Sequence, residues 1–180
     1  FIGALNADQS DREAWRDGLR ATFDIDGFCD LYAINQAIGN WDTYGGLAHN
    51  FYLYADPKTD QLRFIPWDLD LSLDGSAGAD LSLLSFGGEW PLLQAIARDA
   101  ELADRYHDAL ARFADDELAS GRLAERVDAW EARIAEVIAE EESVRPGAQE
   151  QFALGLESLR AHVDGLTGEV NEYLAGRELR

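Results

Sequence analysis

The sequence predicts an α+β fold, mostly helical, with one β-hairpin set between two irregular loops. Three observations carry this expectation. Apolar residues recur at helical spacing over 9–38 and again from about 90 onward. Two β-rich runs, FYLYAD (51–56) and QLRFIPW (61–67), are separated only by PKTD. The stretches on either side, 39–50 and 68–82, are crowded with Gly, Asn, Asp and Ser, the residues of loops.

Residues 9–22 read as a helix. Ser10 is its expected N-cap and Glu13 completes a capping box, with Trp15, Leu19 and Phe23 on one stripe. A second helix is expected over 26–38, capped by Asp26, with Phe28, Leu31, Tyr32, Asn35 and Ile38 on or near one face and Gly39 as terminator. Turn chemistry at Asp56-Pro57 closes the hairpin. Pro91 suits the first turn of a short helix, 91–98. Asp99 caps the next, in which Leu102, Tyr106, Leu110 and Phe113 recur at spacings of four, four and three. A longer helix, about 121–142, carries Leu123, Val127, Trp130, Ile134 and Val137, and Pro146-Gly147 breaks the pattern after it. A final stretch, 148–176, carries Phe152, Leu156, Leu159, Val163, Leu166 and Val170, with Gly165 and Gly168 placed to bend or split it. The expected organisation is one domain over 1–180: a helical lead-in (1–38), loops and hairpin (39–88) and a helical subdomain (89–180). Trp15 and Trp130 are expected in the core, Trp67 beneath the loops, and His107 and His162 on polar helix faces. Cys29 is expected to be a buried, inert thiol.

Composition narrows the function. There are 35 Asp and Glu against 15 Lys and Arg, a formal charge of −20. Such a surface repels phosphate backbones and anionic membranes, so neither nucleic acid nor a lipid surface is an expected partner. No apolar run reaches the ~18 residues of a membrane span. With 47% hydrophobic residues the chain is not wholly disordered. The single cysteine excludes a disulfide framework and a four-Cys zinc site. Cations are the natural ligands, although acidity also serves solubility or a salt-rich habitat.

The hairpin concentrates that acidity. A tight hairpin brings the loop that enters it beside the loop that leaves it. Asp42 and Asn50 in the first loop can then stand near Asp68 and Asp70 in the second, and alternation along a continued strand puts Asp68 and Asp70 on one side. Clustered carboxylates raise one another's pKa unless a cation intervenes, and hard oxygen donors suit Mg²⁺, Mn²⁺ or Ca²⁺. Each residue also has a plain structural reading: Asp42 in an Asx-turn, Asp68 as a helix cap, Asp74-Gly75 as a turn. DLSLDG (70–75) brushes the calcium-loop pattern, but its twelfth position is Leu81 rather than Glu, which argues against an EF-hand. His49, beside Asn50, is within reach of a phosphate, yet a structural hydrogen bond is its favoured reading.

The run GNWDTYGGLAHNFYLYADPKTDQLRFIPWDLDLSL (39–73) resembles the CotH kinase family, the spore coat protein H-like atypical protein kinases. The pieces that carry the resemblance are GNWD, the Asn-Phe-Tyr-Leu-Tyr strand and PWDLD. The helix start at Asp24, Ile25 and Asp26 is similar to the family's lead-in, and WPLLQAIARDAELADRYHDALARF (90–113) is similar in pattern. The resemblance implies a protein-kinase-like C-lobe and an enzyme that uses ATP with Mg²⁺ or Mn²⁺ to phosphorylate a protein substrate. It implies Asp42 as the catalytic-loop aspartate and Asn50 as that loop's metal-binding asparagine. Asp68, with or without Asp70, is implied as the metal-binding aspartate after the hairpin, Asp68 being favoured at the strand end. The step from Asp42 to Asn50 is eight residues, where ordinary kinases have five.

A kinase also needs a Gly-rich loop and a phosphate-binding lysine. No such loop precedes the first helix, and Lys58, the only lysine, sits in the hairpin turn. The N-terminal ATP lobe is therefore expected outside this chain, and the chain alone is expected to transfer little phosphate. The resemblance suggests a spore-coat, cell-surface or secreted location. Two other readings stand beside it. One is a non-catalytic spore-coat or cell-surface binding module. The other is a metal-dependent glycosyltransferase, since WDLD (67–70) contains Asp-x-Asp, although the helical surroundings argue against a nucleotide-sugar fold.

Overall fold

The computed structural model describes residues 1–73 and 80–178, with side chains to 176. The Asp74-Gly75 turn and the end of the DLSLDG pattern lie outside the described residues. The elements are α1 (Ile2–Leu5), α2 (Arg12–Arg20), α3 (Ile25–Ala37), β1 (Phe51–Asp56), β2 (Gln61–Pro66), a 3₁₀ turn (Leu83–Ser85), α4 (Pro91–Ala97), α5 (Ala100–Phe113), a π-helical segment (Ala114–Ala119), α6 (Arg122–Glu141) and α7 (Ala148–Glu178). The described chain is thus mostly helical with one two-stranded antiparallel hairpin, the α+β class expected. Its described residues form two compact units, 1–72 with 80–110, and 73 with 111–178.

In the first unit the apolar stripes of α2 and α3 meet. Trp15, Leu19, Phe23, Phe28 and Tyr32 are all at most 3% exposed. The helix starts differ from expectation by small steps. Asp11, not Ser10, caps α2, its Oδ1 accepting from the Ala14 amide at 3.0 Å, while Ser10 bonds to Asp8. Asp24, not Asp26, caps α3 through the Gly27 amide at 3.1 Å. Asp26 serves instead as an ion-pair partner of Arg20 at 2.9 Å. Either aspartate could cap by type; the arginine across the gap decides which is free to do so. The expected start of α4 at Pro91 holds, and Asp99 caps α5 through the Leu102 amide at 3.2 Å.

The hairpin pairs Phe51 with Pro66, Leu53 with Phe64 and Asp56 with Gln61. Its turn is closed by the Asp60 amide on the Asp56 carbonyl at 2.9 Å, with Asp60 left-handed at φ 58°. The outer edge of β2 is tied down as well. Asp24 N–H donates to the Leu62 carbonyl at 2.9 Å, and Leu62 N–H donates to the Thr22 carbonyl at 3.0 Å. This short parallel bridge to the α2–α3 linker satisfies edge groups that a free hairpin leaves open.

The second unit is an α6–α7 hairpin whose seam includes Val127, Val163, Leu166 and Val170, all buried. Arg160 spans the seam to Asp128 and Glu131, at 2.6 Å each. After the Gly147 turn (φ 90°), the Glu142 carboxylate takes the amides of Gln149 and Gly147, which hold its pKa below the ordinary glutamate value. α7 runs unbroken through Gly165 and Gly168, so neither glycine splits it. Trp130 is 59% exposed and not core. A two-helix seam has room for one stripe only, and the Trp130 ring instead carries the Arg133 guanidinium 4.7 Å from its centroid. His107 is buried rather than on a polar face, against the Tyr106 ring at 5.0 Å.

Two predictions come from this packing. Arg16 bonds Asp99, whose side chain is 1% exposed, at 2.9 Å. Arg16→Ala leaves that buried carboxylate without its cation, the Leu102 amide alone remaining on it, and is expected to cost about 3 kcal/mol in urea unfolding. Cys29 is fully buried, and burial, reinforced by Asp26, pushes its thiol up to about 12. A native-state thiol reagent should leave Cys29 unlabelled until the protein unfolds. Because the folded value exceeds the unfolded one of about 8.5, the thiol's contribution is complete below that pH and declines as pH rises toward 12. Cys29→Ala should therefore show a shallower alkaline loss of stability.

Candidate functional site

The loop between α3 and β1 is fixed at its entry by two buried asparagines. Asn40 Nδ2 donates to Asn35 Oδ1 at 2.7 Å, and Asn35 Nδ2 donates to the Asn40 carbonyl at 3.3 Å. Gly39, left-handed at φ 67°, ends α3 as expected and delivers the chain to this pair. Two positions further the path needs glycine. At Gly45 φ is 110°, and a Cβ there would lie 2.0 Å from the Tyr32 hydroxyl; at Gly46 it would lie 2.0 Å from the Trp41 carbonyl. Thr43, buried, accepts the amides of Gly46 and Leu47 on its carbonyl and donates its hydroxyl to the Asn50 carbonyl at 3.4 Å. Tyr44 sets its ring edge-on to Phe51 at 5.8 Å and to Trp90 at 4.9 Å. Burial raises the phenol pKa of Tyr44, and of Tyr32 beneath the loop, so both stay neutral.

This frame holds Asp42 against Asn50. Asn50 Nδ2 donates to Asp42 Oδ2 at 2.9 Å, and His49 Nε2 lies 3.1 Å from Asp42 Oδ1. The Asp42 side chain is 15% exposed and that of His49 49%. Because the amide nitrogen of Asn50 faces a carboxylate, its Oδ1 points elsewhere, and among the described residues it accepts no hydrogen bond. The structural hydrogen bond expected of His49 is not among those formed; the ring stands instead at ion-pair distance from the aspartate itself.

The second loop begins one residue from this pair. Trp67 N–H donates to the Asn50 carbonyl at 3.0 Å, so Asp68 follows directly on a bond to the first loop. The strand does not continue through Asp68 and Asp70. It ends at Pro66, Asp68 is left-handed at φ 55°, and Asp70 lies in a turn closed by the Ser72 amide on the Leu69 carbonyl. The alternation expected for the two aspartates is therefore lost. Both carboxylates are exposed and make no hydrogen bond or ion pair among the described residues. No three His, Cys, Asp or Glu side chains among those residues stand together as a ready metal site. Asp42 and Asn50 thus meet, while the carboxylates of Asp42, Asp68 and Asp70 are not gathered into a cage. Trp67 is 57% exposed, edge-on to Tyr52 at 5.7 Å, rather than packed beneath the loops.

A family model described as CotH kinase protein matches residues 1–172. The chain belongs to the CotH kinase family. No curated protein and no solved structure matches it. Membership in a kinase family implies ATP and a divalent metal in general terms. The donor chemistry of this CotH chain fits such an ion: an outward amide oxygen and two uncommitted carboxylates are hard oxygen ligands.

Sequence reading missed the residues that hold the CotH loop in place: Asn40, Thr43 and Tyr44, with Asn35 placed only on a face. One signal was available. An asparagine on the apolar face of α3 needs a partner once buried, and Asn40, just past the helix end, is one side chain able to supply it. The backbone at Asn50 gives a direct test. Its φ of 57° suits Asn or Gly but strains alanine. Asn50→Ala is expected to lower stability in urea by about 1–2 kcal/mol. Asn50→Gly should lose less, and equal losses would contradict the left-handed geometry.

Proposed function

We propose that this chain supplies the catalytic and metal-binding residues of an ATP-dependent protein kinase, which transfers the γ-phosphate to hydroxyls of a protein substrate. The observation that supports the reading is the Asp42–Asn50 hydrogen bond at the foot of the hairpin, in a chain of the CotH kinase family. A carboxylate offers about four lone-pair sites. Asn50 uses one on Oδ2 of Asp42. Each oxygen keeps a further site that can accept the hydrogen of a substrate hydroxyl and aim its oxygen.

Asn50 Oδ1 and Asp68, with Asp70 beside it, are the groups that would hold Mg²⁺ or Mn²⁺. Such an ion would supply positive charge against the phosphates. The protein's own part is then to orient the nucleophile and keep the donors within reach. The bond from Trp67 to Asn50 does the latter by fixing where the second loop starts.

A second reading, a non-catalytic binding module at a spore coat or cell surface, is favoured by one feature. Tyr52, Tyr54, Ile65 and Trp67 lie exposed along the hairpin.

The two readings separate with nucleotide. In the full-length protein, Asp42→Ala and Asp68→Ala should each lower kcat by about 10²-fold or more with the protein still folded, a loss far larger than the small drop in thermal midpoint expected from the missing hydrogen bond at Asp42 and the left-handed alanine at 68. Mg-ATP at 100 times its Kd should stabilise the wild type by about 2.7 kcal/mol. Undiminished transfer in either variant would sink the assigned mechanism, and no stabilisation by Mg-ATP would favour the binding module.

A further inference from the structure

We propose that the outer edge of β1 is a strand-addition site, which takes an extended, basic peptide segment of a partner protein with apolar residues at alternate positions. The inference stands apart from the kinase reading.

The ladder fixes which backbone groups are free. Leu62 of β2 sends its N–H and C=O outward, to Thr22 and Asp24. In an antiparallel pair, facing residues alternate between hydrogen-bonded and non-hydrogen-bonded positions. Ala55 faces Leu62, so Ala55, and with it Leu53 and Phe51, turns its N–H and C=O away from β2. The Trp67 amide on the Asn50 carbonyl, the next position along, has the phase this demands. Among the described residues, none of these outward groups of Phe51, Leu53 and Ala55 has a hydrogen-bond partner. Proteins guard such an edge with lysine, proline or a bulge. FYLYAD holds no lysine or proline, its register runs without a bulge, and Tyr52, Leu53, Tyr54 and Ala55 are exposed.

The face behind the edge supplies an anchor. Phe51 and Leu53 wall an apolar cavity of about 270 Å³, with Phe1, Leu5, Phe23 and Phe64 among the other lining residues. An apolar cavity of about 150 Å³ already accepts benzene. In an added strand, the residue opposite Leu53 sends its side chain to the same face as Leu53, which is the cavity side. Leu53 is 46% exposed although it points inward, and such a side chain would cover it. Main-chain hydrogen bonds would hold the segment, and its alternate apolar side chains would select it. Charge chooses the occupant. A second copy would bring another −20 to the edge and be repelled, whereas a basic segment is attracted.

The test titrates the full-length protein with a capped heptapeptide, Lys-Leu-Thr-Leu-Thr-Leu-Lys. One control is the same peptide N-methylated on its leucines, which keeps every side chain and removes the donors facing β1. N-methylation should raise Kd about 10-fold or more, and Ala55→Pro, which removes one outward N–H but no bond to β2, about 5-fold. Replacing both lysines of the peptide by glutamate should weaken binding about 10-fold at low salt. Amide hydrogen exchange at Leu53 and Ala55 should be fast in the free protein and slowed by the peptide, with Tyr52 and Tyr54 slow throughout. Equal affinity for the N-methylated peptide, or no slowing at Leu53 and Ala55, would overturn the site. Equal affinity for the glutamate peptide would refute the basic partner. Slow exchange at Leu53 and Ala55 without peptide would also overturn the proposal. The edge would then be covered by a second copy if that protection falls on dilution, and by the protein's own chain if it does not. Should Ala55→Pro fail to fold, the peptide comparisons on wild type still decide.

Discussion

A run of aromatic rings holds the site to the helices. Phe28 of α3 meets Phe64 of β2 edge-on at 5.2 Å, Phe64 stacks on Phe51 of β1 at 4.8 Å, and Phe51 meets Tyr44 of the loop at 5.8 Å. Such contacts are worth about 0.5–1.5 kcal/mol each beyond the area they bury. The hairpin needs them, because two strands alone are marginal in water. Four of the six residues of β1 are exposed, so its inward rings and the bridge at Leu62 are what anchor it. Tyr44 follows Asp42 by two residues, and Phe51 follows Asn50 directly. The ring contact between them therefore keeps both ends of the loop in one place, where the Asp42–Asn50 hydrogen bond spans it.

Backbone strain is gathered at the same spot. Asn50 and Asp68 flank the hairpin, and both are left-handed. Asn and Asp accept that conformation better than other side chains, yet it still carries a cost of order 1 kcal/mol or more. Gly45 covers a position where any side chain would strike Tyr32. The two left-handed residues each yield a particular juxtaposition: Asn50 hydrogen-bonded to Asp42, and the exit of β2 turned abruptly after Trp67. The surrounding rings and the buried Asn35–Asn40 pair are rigid enough to impose it.

Most of the fold could be read from residue patterns. The hairpin limits, Pro91 at the start of α4, Asp99 as a cap and the buried quartet Leu102, Tyr106, Leu110 and Phe113 all follow from local chemistry. What failed depended on partners. Periodicity identifies an apolar stripe on α6 but not whether anything covers it, so Trp130, expected inside, lies outside. Cap type identifies several aspartates but not the arginine that claims one of them, hence Asp24 and not Asp26. At the site, hairpin closure predicts that the first loop meets the second, and the Trp67 amide on the Asn50 carbonyl is such a meeting, but the hydrogen bond of Asp42 with Asn50 lies within one loop and has no signal in the hairpin. Nor could the places of Asp68 and Asp70 be anticipated, because alternation holds only while the chain stays extended, and it stops at Pro66.

Charge explains why such a site would work through a divalent ion instead of a basic side chain. The chain has one lysine and 14 arginines against 35 acids. Many of those arginines are committed to ion pairs within the fold: Arg16 to Asp99 and Glu101, Arg20 to Asp26, Arg63 to Asp56, Arg105 to Asp30 and Arg160 to Asp128. Lys58 is exposed in the hairpin turn. Asp42 itself is paired with an amide and an imidazole, neither of which carries a fixed positive charge. A phosphate approaching these carboxylates would meet repulsion that neighbouring side chains do not cancel. A divalent cation arriving with the phosphate reverses the sign of that interaction, and the uncommitted oxygens of Asp68 and Asp70 then become attractive groups. The same acidity that makes the surface hostile to bare polyanions would, on the kinase reading proposed above, favour an anion already carrying its metal.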